Sequence, residues 1–107
     1  MNHRKLRLDS LIMEELGKIL IREVDFDIGT LATISYVDTS SDLSRADIGV
    51  SVIPTESSDK VMKELIKLQG ELQHLLNIKL NIKPMPRIEF KYDPGLEKAA
   101  NIERLLK

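Results

Sequence analysis

A helical pattern interrupted by one glycine runs through residues 58–77, SDKVMKELIKLQGELQHLLN. Its apolar side chains recur every three or four residues, which places them on one face of a helix. They are Val61, Leu65, Leu68, Leu72 and Leu75. Gly70 lies within this pattern and costs about 1 kcal/mol relative to alanine. A glycine at such a position favours a kink, a close backbone approach or a break between two helices.

Three strand-like segments surround this helix. Residues 31–39 are rich in Thr, Ile, Tyr and Val, which favour strands. Residues 46–52 alternate between apolar and small or polar side chains, as a half-buried strand does. The short polar turn at residues 40–42 predicts that these two strands form an antiparallel hairpin. Residues 87–92 alternate charged and apolar side chains and predict a third strand after the helix.

Two more helices are predicted at the ends of the chain. Residues 4–23 repeat apolar side chains at three- and four-residue steps, which is typical of an amphipathic helix. Residues 96–106 are expected to form a short terminal helix. The chain has 107 residues, no internal repeat and no linker, so we expect a single domain over residues 1–107.

The composition excludes several classes of function. The chain has no cysteine, which excludes disulfides, thiolate zinc sites and thiol catalysis and fits the reducing cytoplasm. No apolar run approaches the ~18 residues that a membrane span needs, and the basic start is not followed by a signal-peptide core. The two histidines, His3 and His74, have no metal-ligand spacing. We therefore expect no enzyme activity, no cofactor, no metal and no small-molecule substrate.

The charges are distributed unevenly along the chain. The net charge is −1, but residues 1–8 sum to +3, residues 9–59 to −8 and residues 60–107 to +4. A protein with balanced charge can still present a basic surface to a nucleic acid. Aromatic residues make up only 4% and are scattered, so RNA binding would depend on the backbone and shape of the RNA rather than on base stacking.

Three groups of basic residues are candidates for such a surface. On a helical wheel Lys63, Lys67 and Gly70 fall opposite the apolar stripe, where a glycine lets a phosphate approach and lysines supply charge. The ordinary alternative is a solvated helix face. A second group around the third strand either binds RNA or protects an exposed sheet edge; it comprises Lys79, Lys83 and Arg87, with Lys91 beside them. A third, at residues 4–7, either binds phosphates or solubilises a helix start; it comprises Arg4, Lys5 and Arg7.

Several short segments, in this order and spacing, resemble one known family. They are residues 12–16 (IMEEL), 41–46 (SDLSRA) leading into 50–52 (VSV), Gly70, 86–90 (PRIEF) with Asp93, and 102–106 (IERLL). Together they resemble ribosome-binding factor A, a family of bacterial small-subunit assembly factors, from about Arg4 to Leu106.

The resemblance implies a fold and a function. The family has an α+β, type II KH-like fold, so we expect a three-stranded antiparallel sheet with helices packed on one face and a helix–kink–helix at Gly70. It also implies a cytoplasmic, monomeric, non-enzymatic factor that binds the small (30S) ribosomal subunit and its 16S rRNA, away from membranes. Such a factor acts in ribosome biogenesis, assists late 16S rRNA processing and is important in cold growth.

Some positions depart from the family pattern. The Ala-x-Gly element of the family stands here as Leu68-Gln69-Gly70. Positions that are commonly basic in the family hold Gln73, Ile78, Asn81 and Pro84, and Asp47 stands where lysine is frequent. Each lost phosphate contact lowers the salt slope of binding by about 0.7–0.9. We therefore expect weaker and less salt-sensitive RNA binding than in a typical member.

The sequence leaves a second function open. The acidic stretch of residues 9–59 and the reduced basic surface are also compatible with a protein-interaction module on a KH-like scaffold that does not bind RNA. If RNA is the partner, the residues expected to contact it are Arg4, Lys5, Arg7, Lys63, Lys67, Gly70, Lys79, Lys83 and Arg87.

Overall fold

The computed structural model describes residues 3–95, so the predicted helix over residues 96–106 lies outside the described part. The elements are helix α1 (His3–Glu23), strands β1 (Leu31–Thr39) and β2 (Arg45–Ile53), a 3-10 turn (Thr55–Ser57), helix α2 (Ser58–Leu80) and strand β3 (Arg87–Tyr92). This order confirms the predicted α+β class. The expectation of a single domain over the whole chain stays a prediction.

Helix α1 is amphipathic, as its sequence pattern predicted. It buries Leu8, Ile12, Leu16, Ile19 and Leu20. Beyond its end, the amide of Thr30 donates a 2.9 Å hydrogen bond to the carbonyl of Asp27. Gly29 in this turn has a φ of 87°, a conformation that glycine adopts without strain. The turn redirects the chain from α1 into β1.

The sheet has the order β1-β2-β3. Strands β1 and β2 are antiparallel, with Leu31 opposite Ile53 and Thr39 opposite Ala46, which confirms the predicted hairpin. Strand β3, however, runs parallel to β2. The expectation of an entirely antiparallel sheet was therefore wrong. The reason is that α2 returns the chain along the sheet between β2 and β3, as the crossover between parallel strands requires.

Helix α2 is continuous from Ser58 to Leu80 and is not divided at Gly70. The break between two helices that a glycine can mark is therefore absent, and the kink at Gly70 stays a prediction. Apolar side chains on both sides of the glycine, Leu65 before it and Leu72 and Leu76 after it, are buried in the same core. Keeping them on one face requires the helix to continue through Gly70, and this packing outweighs the cost of about 1 kcal/mol for glycine.

The helices cover one face of the sheet, as expected. Helix α1 packs against β1, α2 packs against β3, and the two helices contact each other. The inward side chains of β2 and β3, including Ala46, Ile48, Val50 and Ile88, are fully buried between these layers. No helix within residues 3–95 is long and apolar enough to cross a membrane.

One buried polar contact fixes α1 to the end of β1. Thr39 is fully buried, and its amide donates a 2.9 Å hydrogen bond to the carboxylate of Asp9, which also accepts from the Thr39 hydroxyl. Because a buried donor without a partner is costly, this contact specifies how α1 sits on the sheet. It thereby sets the position of the basic residues at the start of α1.

Candidate nucleic-acid interface

The first group of candidate residues lies on the outer side of α2. Lys63, Lys67 and Gly70, here called the lysine face, are all exposed. Within residues 3–95 neither lysine forms an ion pair. A Cβ on Gly70 would meet no atom within 4 Å, so the backbone there is open to a partner. The lysine face can therefore offer two uncompensated charges beside an accessible backbone.

Lys79 belongs to the same helix but not to the lysine face. It follows Gly70 by nine residues, which at about 100° per residue places it about 180° around the helix. It is exposed in the last turn of α2, where a cation is favourable to the helix dipole. Asn81 then ends the helix in the left-handed conformation, with a φ of 48°.

A second group of candidates meets in a groove where α1 begins. We call this the basic groove, a cleft of about 290 Å³ between the start of α1, the β1–β2 loop and the α2–β3 connection. Its basic side chains are Arg4, Arg7 and Lys83. Its apolar side chains are Leu8, Leu11, Leu43, Ile82 and Pro84. The structure thus brings together residues separated by about 80 positions in sequence.

Lys5 points elsewhere, although it lies between Arg4 and Arg7. Its ammonium group is 2.6 Å from the carboxylate of Asp38 and 3.1 Å from that of Asp9. The hydrogen bonds that Lys5 donates to Asp38 and then to Asp9 raise the pKa of Lys5 above its usual range. Its charge is already compensated within the protein, so this geometry argues against the predicted role of Lys5 in RNA binding.

Arg87 lies outside both groups. It is exposed on the face of the sheet that the helices leave open, and it pairs with Glu89 at 3.2 Å. Glu89 also lies within 4 Å of Arg45 and Lys91. The charges of this face are therefore largely balanced, and the structure does not join Arg87 to the basic groove or the lysine face.

The loop that contributes Leu43 is held by Asp42. The Asp42 carboxylate accepts hydrogen bonds of 2.7 Å from the hydroxyls of Ser40 and Ser44 and one of 3.1 Å from the Ser44 amide. These donors lower the pKa of Asp42 to about 2. Leu43 between them has a φ of 62°, which an L-residue rarely adopts.

Sequence reasoning missed Leu43, Ile82 and the other apolar residues of the basic groove. The polar residues 40–42 predicted a turn, but no sequence pattern indicated a left-handed leucine. Within residues 3–95 there is no cluster of three or more side chains suited to a metal ion.

Comparison with known proteins agrees with this fold. The family model described as ribosome-binding factor A matches residues 4–106. Ribosome-binding factor A of Dictyoglomus thermophilum is 39% identical over 109 residues, covering 100% of this chain and 91% of that protein.

Two solved structures share the fold. The crystal structure of ribosome-binding factor A from Thermus thermophilus aligns with a TM-score of 0.71 at 22% identity, over 82% of this chain and 94% of that one. A homology model of the T. thermophilus protein, fitted into a cryo-electron microscopy map of a 30S–RbfA complex, aligns with a TM-score of 0.69 at 20% identity, over 82% and 93%. From the match over residues 4–106, this chain belongs to the ribosome-binding factor A family.

Proposed function

We propose that this protein is a non-enzymatic ribosome assembly factor that binds the 30S subunit and assists late maturation of 16S rRNA in the cytoplasm, including during growth in the cold. The observation that carries the proposal is the family match over nearly the whole chain. A relative with the same fold has been fitted into a map of its complex with the 30S subunit, which supports the same partner here.

The geometry supports two contact regions for rRNA. The lysine face offers Lys63, Lys67 and the open backbone of Gly70. The basic groove offers Arg4, Arg7 and Lys83, none of which forms an ion pair within residues 3–95. Cations without internal partners are the ones that can release counterions from a phosphate backbone. Lys79 is exposed and lies between Gly70 and Lys83 in the sequence. It is a further candidate for contact with rRNA.

Sedimentation with purified ribosomal subunits across a salt series tests this proposal. We expect selective movement with the 30S subunit that weakens as salt rises, because phosphate contacts dominate such binding. The variant Lys67→Glu with Lys83→Glu removes one cation from each region. Its salt slope should be lower by about 1.5, from 0.7–0.9 for each lost phosphate contact, while its melting temperature stays close to that of the parent protein.

A matched control reverses two exposed charges elsewhere on the protein. Lys18→Glu with Arg22→Glu changes the net charge equally, at two residues of α1 that belong to neither region. If both double variants weaken binding equally, only net charge matters and the site assignment is wrong. Absence of 30S association even at low salt would contradict the proposal itself. It would favour a protein-interaction module, which would hold its partner after ribonuclease treatment.

A further inference from the structure

We propose that the basic groove holds one unstacked nucleotide of single-stranded RNA, with the base on its apolar floor and the adjoining phosphates on its three cations. The inference rests on the proposed function and deepens it. The sequence indicated recognition of the RNA backbone and shape only, whereas the groove provides a place where a base itself is contacted.

The charge of the groove selects an anionic ligand. Arg4, Arg7 and Lys83 line it, no acidic side chain does, and none of the three has an ion pair within residues 3–95. Several basic residues elsewhere are compensated, such as Lys60, which lies 2.5 Å from Asp27; the groove is a place where three uncompensated cations meet. Concentrating three uncompensated cations costs free energy in the absence of a partner, and two of them stand at the unfavourable positive end of the α1 dipole.

The floor of the groove suits the flat face of a base. Leu11 is 38% exposed there, and Leu43 and Ile82 are half-buried beside it. The eight lining residues include no side chain that accepts a hydrogen bond. A base would therefore be held by contact with its face and by stacking on an arginine guanidinium, which every base permits. Recognition at this point should tolerate any base but should require that one is present.

Backbone strain at the groove is a second, independent observation. Leu43, with a φ of 62°, adopts a left-handed conformation that is unfavourable for an L-residue. The Asp42 hydrogen bonds hold the loop in this shape, and the Leu43 side chain lines the groove as a result. Asn81, the other non-glycine residue with positive φ within residues 3–95, directly precedes Ile82, which also lines the groove. Asparagine is common at a helix end, but leucine is not favoured in this conformation.

The size of the groove limits the ligand. A cleft of about 290 Å³ is at the lower end of small-ligand sites and is too small for a duplex. An acidic peptide would satisfy the cations, but it lacks the flat apolar face that a base would lay on the apolar floor. The observations therefore favour RNA, and the peptide becomes an outcome of the test.

Fluorescence anisotropy with short labelled oligonucleotides tests the inference directly. The probes are a single-stranded hexa-adenylate and the same hexamer with abasic ribose at its central positions, so that both carry the same phosphates. Base stacking on a protein is worth ~1–3 kcal/mol, so we expect the abasic probe to bind about tenfold more weakly. Equal binding of the two probes would overturn the inference and leave a site for phosphate only.

Two leucines on one helix provide matched variants. Leu11→Ala shortens the groove floor and should remove most of the preference for the base-bearing probe. Leu6→Ala makes the same change at a side chain that is 59% exposed and does not line the groove, and it should leave the preference intact. Circular dichroism confirms that both variants are folded. Equal effects of the two substitutions would contradict the assignment.

The remaining outcomes separate this inference from the proposed function. If the protein sediments with 30S subunits but binds neither hexamer, the inference fails and the proposed function stands. If it binds the hexamer through Leu11 but never associates with 30S subunits, the groove is a nucleotide site and the ribosomal function fails. If an oligoglutamate peptide binds in a Leu11-dependent manner and the hexamers do not, the groove is a peptide site and the inference is overturned.

Discussion

The aromatic ring of Tyr36 occupies the space that a Cβ on Gly49 would need. The two residues face each other across β1 and β2, and a Cβ built on Gly49 would overlap the Tyr36 ring at its carbon Cε2. The ring thus covers a stretch of β2 that has no side chain of its own, on the face of the sheet that the helices leave open. Burial, followed by the nearby carboxylates of Asp47, Asp93 and Asp38, raises the pKa of Tyr36 above its usual range.

We expect Gly49→Ala to displace the ring towards solvent. The lost contact should reduce the free energy of unfolding by about 1 kcal/mol, since an aromatic side chain can swing away more cheaply than backbone can move. The pKa of Tyr36 should fall towards its ordinary value, as read from the ultraviolet absorbance of tyrosinate against pH, with Tyr36→Phe to identify its signal. In a Tyr36→Ala background the same glycine substitution should cost much less; an undiminished cost would show that something other than the ring opposes a Cβ.

A substitution at Gly70 should change stability and subunit binding in opposite directions. A Cβ there meets no atom within 4 Å, and helix α2 continues through this position. Gly70→Ala should therefore raise the free energy of unfolding by about 1 kcal/mol, measured by urea denaturation. If the open backbone contacts RNA, the same variant should bind 30S subunits more weakly despite being more stable. A control, Gly17→Ala in α1, also meets no atom within 4 Å and should leave subunit binding unchanged. Unchanged binding by Gly70→Ala would remove this residue from the proposed interface.

Gln73 has a structural role that a basic residue could not take. Its side-chain amide donates a 3.1 Å hydrogen bond to the Pro86 carbonyl, and its oxygen accepts one of 2.7 Å from the Ile88 amide. Gln73→Lys removes the acceptor and leaves the amide of a buried residue without this partner. We expect a loss of about 1–3 kcal/mol in urea denaturation. Gln69→Lys adds the same charge one turn earlier on α2 and is the control. Equal stability of both variants would show that water replaces the lost contact.

Asp42 should make stability depend on pH in the acid range. Its pKa is lowered from 3.8 to about 2 in the folded protein by the Ser40 and Ser44 hydroxyls and then the Ser44 amide. A group with a lowered folded pKa stabilises the protein fully above its unfolded value and loses that contribution as pH falls through the folded value. The difference in free energy of unfolding between the parent protein and Asp42→Asn should thus shrink between pH 3.8 and about 2.

Removing the two hydroxyl donors checks this cause. Ser40→Ala with Ser44→Ala should bring the pKa of Asp42 back towards its ordinary value. The change with pH in the contribution of Asp42 to the free energy of unfolding should then largely disappear over the same range. Denaturation at fixed pH values measures it. A dependence that survives in the double variant would assign the acid sensitivity to another carboxylate.

The sequence was most informative where a local pattern repeats. The period of α1 and the alternation of Ala46, Ile48, Val50 and Val52 follow from burial of one face, so both elements could be predicted. The direction of β3 could not be derived from its own alternation, because a strand's pattern is the same in either direction. The long helix before it was the usable signal, since such a connection joins parallel strands.

The site was less predictable because it depends on contacts between distant residues. Lys5 is like Arg4 and Arg7 in sequence, and only the approach of Asp38, 33 positions later, removes it from the accessible cations. Conversely, Lys83 joins Arg4 and Arg7 through the return of the chain after α2. Neither relationship has a signature in the local sequence. The left-handed conformation of Leu43 is likewise one that leucine disfavours. It depends on the hydrogen bonds that Asp42 accepts from Ser40 and Ser44.

The parallel pairing of β3 with β2 also has a consequence for how the chain folds during synthesis. Strand β2 is central in the sheet, yet its second neighbour is made only after the whole of α2. A nascent chain that ends before Arg87 therefore presents one side of β2 with unpaired backbone groups and the apolar residues Ile48 and Val50. Such an edge can pair with another chain. We expect the addition of β3 to be the step that protects the nascent protein from aggregation, so that truncation before residue 87 yields insoluble product even though α1, the hairpin and α2 are complete.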